Sequence, residues 1–384
     1  MVVVSKQPRT RPNFCLPFLL VLAAIVAGAL FIKHEHIQSL CNTATELTDP
    51  TRSRLGGVGG KAPAGRVGIP TVVEDSCSSL PNIRRAGNFL FHAGMKDTVS
   101  PPGIEPVYHV ASPFLERSQG EIKNDAANFY LINDYVNSLS GKGISFDIGG
   151  NRGYYTHFMA TLGLEVHAFE IEMNMFDCLR HGTLFNPLDV VERTNLYQIG
   201  LSDTVGRFGQ QGSGGMGFLV SGANGVTPPI QAITLDCFAW HVKPDLSKVD
   251  VVKIDVEGFE IAVLRGAKNS LLHPDVKIGS LLIEVGPDRW ERGGVSLDAG
   301  MNEMKELAGR FKYAYVIIRE RGAYWQTCAP ALASKILSNK GGAPVKIKDV
   351  NNNAILHWVA MDEWVPLLTE MNVTGSDCNF WFKN

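Results

Sequence analysis

The chain has 384 residues, 45% of them hydrophobic, with a formal net charge of −2 and a pI near 6.6. That is enough apolar material for one large domain with extensions. It excludes the basic field that electrostatic capture of nucleic acid requires, so a neutral or small acceptor fits the charge balance better.

Residues 1–13 carry Lys6, Arg9 and Arg11 and precede an apolar run from Phe14 to Ile32. As a helix, residues 14–32 would reach roughly 28 Å, close to one hydrocarbon core. Positive charge before such a span predicts a single-pass signal-anchor, with a short cytoplasmic tail and everything after it in the lumen of the Golgi or endoplasmic reticulum. The small-residue sequence Ala27-Gly28-Ala29 leaves a cleaved signal peptide open, which would make the protein secreted.

Residues 33–100 are expected to be a flexible stem, because Thr43 to about Pro70 is rich in Gly, Pro, Thr and Arg and has no apolar periodicity. The Gly60-Lys61 pair within it is no phosphate loop: Leu55 stands where the first glycine belongs and Ala62 where Ser or Thr belongs.

From residue 101 the pattern alternates buried strands with amphipathic helices, the mark of a helix-covered parallel sheet. Ala126–Leu139 reads as a helix, Gly143–Ile148 as a strand, the residues after Gly153 as a helix and Leu164–Phe169 as a strand. Met175–His181 is then helical, Val190–Ile199 strand-like, Val249–Ile254 a strand, Phe259–Arg265 a helix and Ile278–Val285 a strand. Tyr313–Ile318 and Ile355–Ala360 supply the last strands. The prediction is therefore an α/β, doubly wound, Rossmann-like sheet of about seven strands over residues 101–365, with ligands beyond the carboxyl ends of the strands. Residues 366–384, including Phe380-Trp381-Phe382, form a C-terminal tail with no reading beyond packing or a disulfide tether.

Outside the apolar run the chain has six cysteines, at 41, 77, 178, 237, 328 and 378, an even number in a compartment that permits disulfides. Buried free thiols at Cys178 and Cys237 remain open. No Cys/His spacing suggests a structural zinc. Asn372-Val373-Thr374 is a glycosylation sequon, meaningful if this part of the chain is lumenal.

The chemistry concentrates in three places. Asp147-Ile148-Gly149-Gly150-Asn151-Arg152-Gly153 runs from a strand through a tight glycine turn into a helix. A second strand ends in Glu170, 17 residues past Gly153, where an acid would accept hydrogen bonds from ribose hydroxyls; Glu172 is its near rival. Asp147, two residues before the first glycine, would meet the cationic amino end of S-adenosylmethionine, whereas a dinucleotide's pyrophosphate gains nothing from an anion there. The loop also lacks GxGxxG spacing, which leaves a nicotinamide oxidoreductase as the alternative class. In Lys253-Ile254-Asp255-Val256-Glu257-Gly258 a buried lysine requires an acid partner, and acids at the end of a central strand lie where an acceptor would meet a methyl donor.

Asp147 to Thr156, Phe169-Glu170, Leu201-Ser202-Asp203 with Gly206, Thr234-Leu235-Asp236, and Lys253 to Gly258 with Leu264-Arg265-Gly266-Ala267 together resemble the FkbM-type methyltransferases, in order from roughly Gly143 to Val285. The resemblance implies a class I methyltransferase fold, S-adenosylmethionine as donor and an oxygen acceptor, often on a sugar or natural product. By position it implies that Asp147, Gly149, Asn151, Gly153 and Glu170 line the donor site, that Asp203 approaches the adenine, and that Asp255 and Glu257, beside Lys253, lie at the reaction centre. Ile171 departs from the family's usual Pro, and Gly150 from its common Ala. The Gly- and Ser-rich segment Gly209–Pro229 resembles the family's variable loop, which bears on acceptor choice.

A carboxylate at Asp255 or Glu257 could serve as general base or bind a divalent ion that acidifies the hydroxyl; the sequence leaves both open. His167, inside a strand, reads as a core residue. With a lumenal domain, the expected acceptor is a glycan, or else a lipid or small molecule, and the only membrane contact runs through the N-terminal helix.

Overall fold

The structure, a computed structural model, describes residues 95–104, 107–112, 122, 124–140, 143–212, 216–220, 229–243, 246–319, 328–338, 345–346 and 354–384. The apolar run 14–32 and the glycine-rich stretch 43–70 lie outside them. Among the described residues no helix is long and apolar enough to cross a membrane.

A hairpin of β1 (Met95–Val99) and β2 (Tyr108–Ser112) comes first, followed by α1 (Ala126–Asn137), β3 (Ile144–Ile148), α2 (Tyr154–Thr161) and β4 (Glu165–Phe169). Then come α3 (Met173–Leu184), α4 (Leu188–Arg193), β5 (Thr194–Tyr197), β6 (Gly200–Leu201), β7 (Gly206–Gln211), β8 (Phe218–Val220) and β9 (Ile230–Ile233). The second half runs α5 (Leu235–Val242), β10 (Lys248–Ile254), α6 (Glu260–Arg265), β11 (Lys277–Val285), a 3₁₀ helix (Pro287–Gly293), α7 (Leu297–Gly309) and β12 (Tyr313–Arg319). It closes with α8 (Pro330–Ser338), β13 (Val345–Lys346), β14 (Ala354–Trp358), α9 (Trp364–Thr374) and β15 (Cys378–Lys383).

The central sheet has nine strands in the order β13-β14-β12-β15-β11-β10-β3-β4-β5. From β11 to β5 neighbours are parallel, and chain order reverses direction across the sheet between β3 and β10. That switch point opens a crevice beyond the carboxyl ends of the two strands. One face packs Phe146, Ile148, Val252, Ile254 and Phe380 with α5, α6, α7 and α9. The other packs Val251, Leu282 and Trp381 with α1, α2 and the hairpin. A smaller four-stranded sheet, β6-β9-β7-β8, sits outside it.

The expected doubly wound α/β sheet is present, but it has nine strands instead of about seven and is mixed, because β15, β12, β14 and β13 pair antiparallel; three segments also differ. Val190–Ile199 splits into α4 and β5, because Thr194 is the first residue with a strand partner, Val166. The hairpin begins at Met95, inside the span expected as stem, and its Val99, Tyr108 and Val110 are buried against α1 and α2. The largest difference is the expected tail: β15 lies in the sheet interior, antiparallel to both β11 and β12, and α9 covers it. The physical reason is two-sided burial. Phe380 and Phe382 fill one face and Trp381 the other, and a short run that is apolar on both faces is satisfied only inside a covered sheet. A disulfide between Cys328 and Cys378 ties the start of β15 to the entrance of α8, Cys237 is also disulfide-bonded, and Cys178 is free. Asn372 is half-buried within α9, and the hydroxyl of Thr374 is turned to the Glu370 carbonyl (2.8 Å).

Phe380 is fully buried, so Phe380→Ala is expected to destabilise the fold by about 3–5 kcal/mol, through lost burial and the cavity left behind. The urea midpoint, with an unchanged m-value, measures it.

Candidate active site

The glycine loop closes the gap between β3 and β10. Gly149 has a φ of +84°, and a Cβ there would come within 1.8 Å of the Asp255 carbonyl oxygen. Only glycine allows the two backbones to approach so closely. The Asp255 N–H donates to the Ile148 carbonyl (2.9 Å), while Gly149 and Gly150 N–H both donate to the Phe169 carbonyl (2.9 and 2.8 Å). Gly153, at a φ of 89°, starts α2, and Asn151 between them is also left-handed at 48°.

Glu170, only 8% exposed, follows β4 and bends back beneath this loop. Its Oε2 accepts from the Asn151 N–H and its Oε1 from the Glu172 N–H, each at 2.7 Å. Burial pushes its pKa up to about 7, against the pull of those two N–H groups. Each oxygen keeps a second lone pair, so the carboxylate is oriented and still able to accept.

Asp147 lies beneath the loop. Strand alternation turns its side chain toward α2, where it is fully buried and accepts from the Thr156 hydroxyl. Lys253, its register partner on β10, sits on the same face. The lysine Nζ donates to the Gly149 carbonyl (2.6 Å), lies 3.5 Å from Asp147 and 3.4 Å from Asp255, and sits 5.3 Å above the Tyr155 ring. Burial opposes its charge, but Asp255 and Asp147 outweigh burial and hold the ammonium above its ordinary pKa. Burial raises the Asp147 pKa against the attraction of Lys253.

The second half of the motif turns sharply. Glu257 is left-handed at 57° and Gly258 has a φ of +108°, where a Cβ would strike the Arg289 carbonyl at 2.5 Å. The turn thus packs on the 3₁₀ helix, which returns two arginines to it. Arg289 donates to the Glu257 carboxylate and to Asp377, and lies 3.9 Å from Glu284. Arg292 donates to the Glu257 carbonyl (3.0 Å) and covers the Phe218 ring at 4.1 Å. Burial first, then the neighbouring acid Asp255, raises the pKa values of Glu257 and Glu284; burial also raises that of Asp377, against the pull of Arg289.

Gly149, Asn151, Gly153, Glu170, Lys253, Asp255 and Glu257 are thus brought to one crevice, with Asp147 in its floor. Asp203 is exposed, accepts from the Ser202 hydroxyl (3.2 Å), and its backbone packs against Gly266, at the other end of α6 from the Glu257 turn. His167 is buried mid-strand between Tyr197 and Glu165, as a core residue. Glu284, Arg289 and Asp377 were missed. Glu284 ends a recognisable strand and could have been noticed; Asp377 could not, since its place depends on β15. The β7–β8 hairpin borders the crevice, with Gly217 close to Glu172 and Phe218 under Arg292. Among the described residues no group of three His, Cys, Asp or Glu side chains is arranged to hold a metal ion.

These features fit a cationic nucleoside donor: a loop with no room for a side chain at Gly149, an oriented acid for hydroxyls, and a surplus of carboxylates beside them. A tight glycine turn and an oriented acid at the switch point of an α/β sheet are the elements that nucleoside-binding α/β proteins use. Residues 147–317 match the methyltransferase FkbM domain, so the chain carries an FkbM-type, S-adenosylmethionine-dependent methyltransferase domain. No curated protein matches the sequence. Similar solved structures include the SAM-dependent methyltransferase from Agrobacterium tumefaciens, 10% identical, covering 51% of this chain and 54% of that one at a TM-score of 0.31. Precorrin-6y C5,15-methyltransferase from Geobacter metallireducens GS-15 is 12% identical, with 52% and 80% covered and a TM-score of 0.28. The plantazolicin methyltransferase BpumL in complex with SAH is 10% identical, with 70% and 91% covered and a TM-score of 0.30. The chain spans about half the length of the Agrobacterium protein, 54%. The assignment rests on the domain match.

Replacing Lys253 with Met strands Asp147 and releases the Gly149 carbonyl. Breaking a buried ion pair on one side costs about 3–5 kcal/mol, which urea unfolding of Lys253→Met will register.

Proposed function

We propose that the protein methylates a hydroxyl group of a sugar or glycan in the secretory pathway, using S-adenosylmethionine. The observation that carries the chemistry is the difference between the two candidate carboxylates. Glu257 is held by Arg289, whereas Asp255 has a side chain 35% exposed and, among the described residues, one ion-pair partner, Lys253, at 3.4 Å. When bound, the donor supplies an electrophilic methyl group on a sulfonium. Asp255 then orients the acceptor hydroxyl and takes its proton as the oxygen bonds to the methyl carbon and the sulfur–carbon bond breaks. Lys253 holds Asp255 and the donor loop in mutual register; Glu257, fixed by two arginines, shapes the acceptor side. Gly149, Asn151, Gly153 and Glu170 hold the donor, with Glu170 on its ribose.

The compartment is inferred separately. Basic residues before the apolar run support an N-terminal anchor and a lumenal domain. The Cys328–Cys378 disulfide and the bonded Cys237 support an oxidising environment, in which glycans are the abundant hydroxyl acceptors. Equal turnover of free cytosolic metabolites with none on glycans would overturn the acceptor assignment.

Calorimetric titration with S-adenosylmethionine and its demethylated product tests the donor site. Because Glu170 titrates near 7 and ribose hydroxyls favour its ionised form, donor affinity should rise as pH climbs through about 7, with proton release on binding below it. Glu170→Gln should bind weakly and without that pH dependence. The raised pKa also means that the unliganded fold is most stabilised by this group below the ordinary Glu range, and loses that increment as pH passes about 7. Asp255→Asn should keep donor affinity while kcat falls about 10²–10⁴-fold, the usual contribution of a general base. Undiminished turnover in that variant removes Asp255 from the role.

A further inference from the structure

At the amino ends of the parallel strands, the sheet carries a second concavity of about 410 Å³, within the range of small-molecule sites. It lies the length of β10 from the crevice, roughly 20 Å for seven residues of strand. Three cationic residues, Lys248, Lys277 and Arg310, line it together with Phe311, Ile278, Tyr135 and Asn384.

Lys248 and Lys277 open β10 and β11 as register partners, so two ammonium stems leave adjacent strands side by side. Like charges placed opposite each other on neighbouring strands repel. Lys248 relieves part of this by reaching back to the buried carboxylate of Asp250 at 2.5 Å. Lys277 and Arg310 have no ion-pair partner among the described residues, and Glu306, which acts electrostatically on Arg310, is paired with Lys268 at 3.5 Å. Lys383 adds a further cation, 5.9 Å from the centre of the Tyr135 ring. No Asp or Glu side chain among the described residues lines the cavity; the one carboxylate in its lining is that of Asn384, the last residue of the sequence, whose side-chain amide donates to the Ile278 carbonyl (2.9 Å). The chain as a whole is slightly acidic, so this concentration is local and not a consequence of general basicity.

We infer that this cavity binds a small phosphate or sulfate ester, its oxyanion between Lys277 and Arg310 and its carbon body on Phe311 and Ile278. A guanidinium fork beside a mobile ammonium matches a multiply charged oxyanion better than it matches a single carboxylate. The cavity shares no residue with the methyl-transfer crevice, so it stands or falls independently of the proposed reaction.

The test is calorimetric titration of the full chain, in uncharged detergent, with inorganic pyrophosphate, glycerol 3-phosphate and dihexanoyl phosphatidic acid, against sodium chloride at matched ionic strength. Binding of at least one phosphate probe is expected, weakened about tenfold or more by Lys277→Gln and by Arg310→Gln, as loss of a charge-assisted hydrogen bond requires. Donor titration should be unchanged in both variants, which verifies their fold, and Lys277→Arg should retain phosphate binding. Preference for glycerol 3-phosphate assigns the site to a soluble ester; preference for the phosphatidic acid assigns it to a lipid headgroup. Absence of binding by all three probes, or binding undiminished in both Gln variants, overturns the inference.

Discussion

A lysine ammonium buried at the end of a central strand cannot stand unpaired in so dry a setting, and the arrangement of this protein's crevice follows from how Lys253 is neutralised. Its Nζ meets Asp147 of β3, Asp255 just past β10 and the carbonyl of Gly149 in the loop between β3 and α2. Two segments about a hundred residues apart, the end of β3 with its glycine loop and the end of β10, are thereby held to one atom. The loop's shape depends on that atom too: Gly149 presses its backbone against Asp255 while its carbonyl points down to the ammonium. Asp147, expected to face a ligand's amino group, serves as the buried counter-charge, since alternation along β3 sends it to the α2 face.

Arg289 repeats the principle on the acceptor side. It gathers Glu257, Asp377 and Glu284, so that two cations, Lys253 and Arg289, organise five carboxylates. The excess of carboxylates over cations favours a positively charged ligand. Asp377 immediately precedes β15, so the chain's last strand completes the sheet and supplies part of the site in the same step. The disulfide at Cys378 anchors that strand at its first residue.

Much of this architecture was legible locally. The strand-glycine-helix unit, the acid at Glu170 and the Lys253–Gly258 motif are each encoded in a few consecutive residues, and strand periodicity located β3, β4, β10, β11, β12 and β14. The position of Glu170 against the loop was readable because its spacing from Gly153 is set by one helix and one strand. Other features depended on what lies across the sheet. Six residues such as Cys378–Lys383 have the same apolar character whether they pack as a tail or pair between two strands, and nothing within them says which neighbours will be β11 and β12.

By itself, then, the sequence determined the fold class, the strand-glycine-helix loop and the Lys253–Gly258 turn, because hydrophobic period, glycine conformation and short spacings are local properties. Only the tertiary structure decided that β15 enters the sheet, that Asp147 and Asp255 meet Lys253, and that Arg289 gathers Glu257, Glu284 and Asp377. Those outcomes depend on which charges meet after the chain has folded, and a buried charge takes its partner from whatever the sheet brings within reach, however distant in sequence.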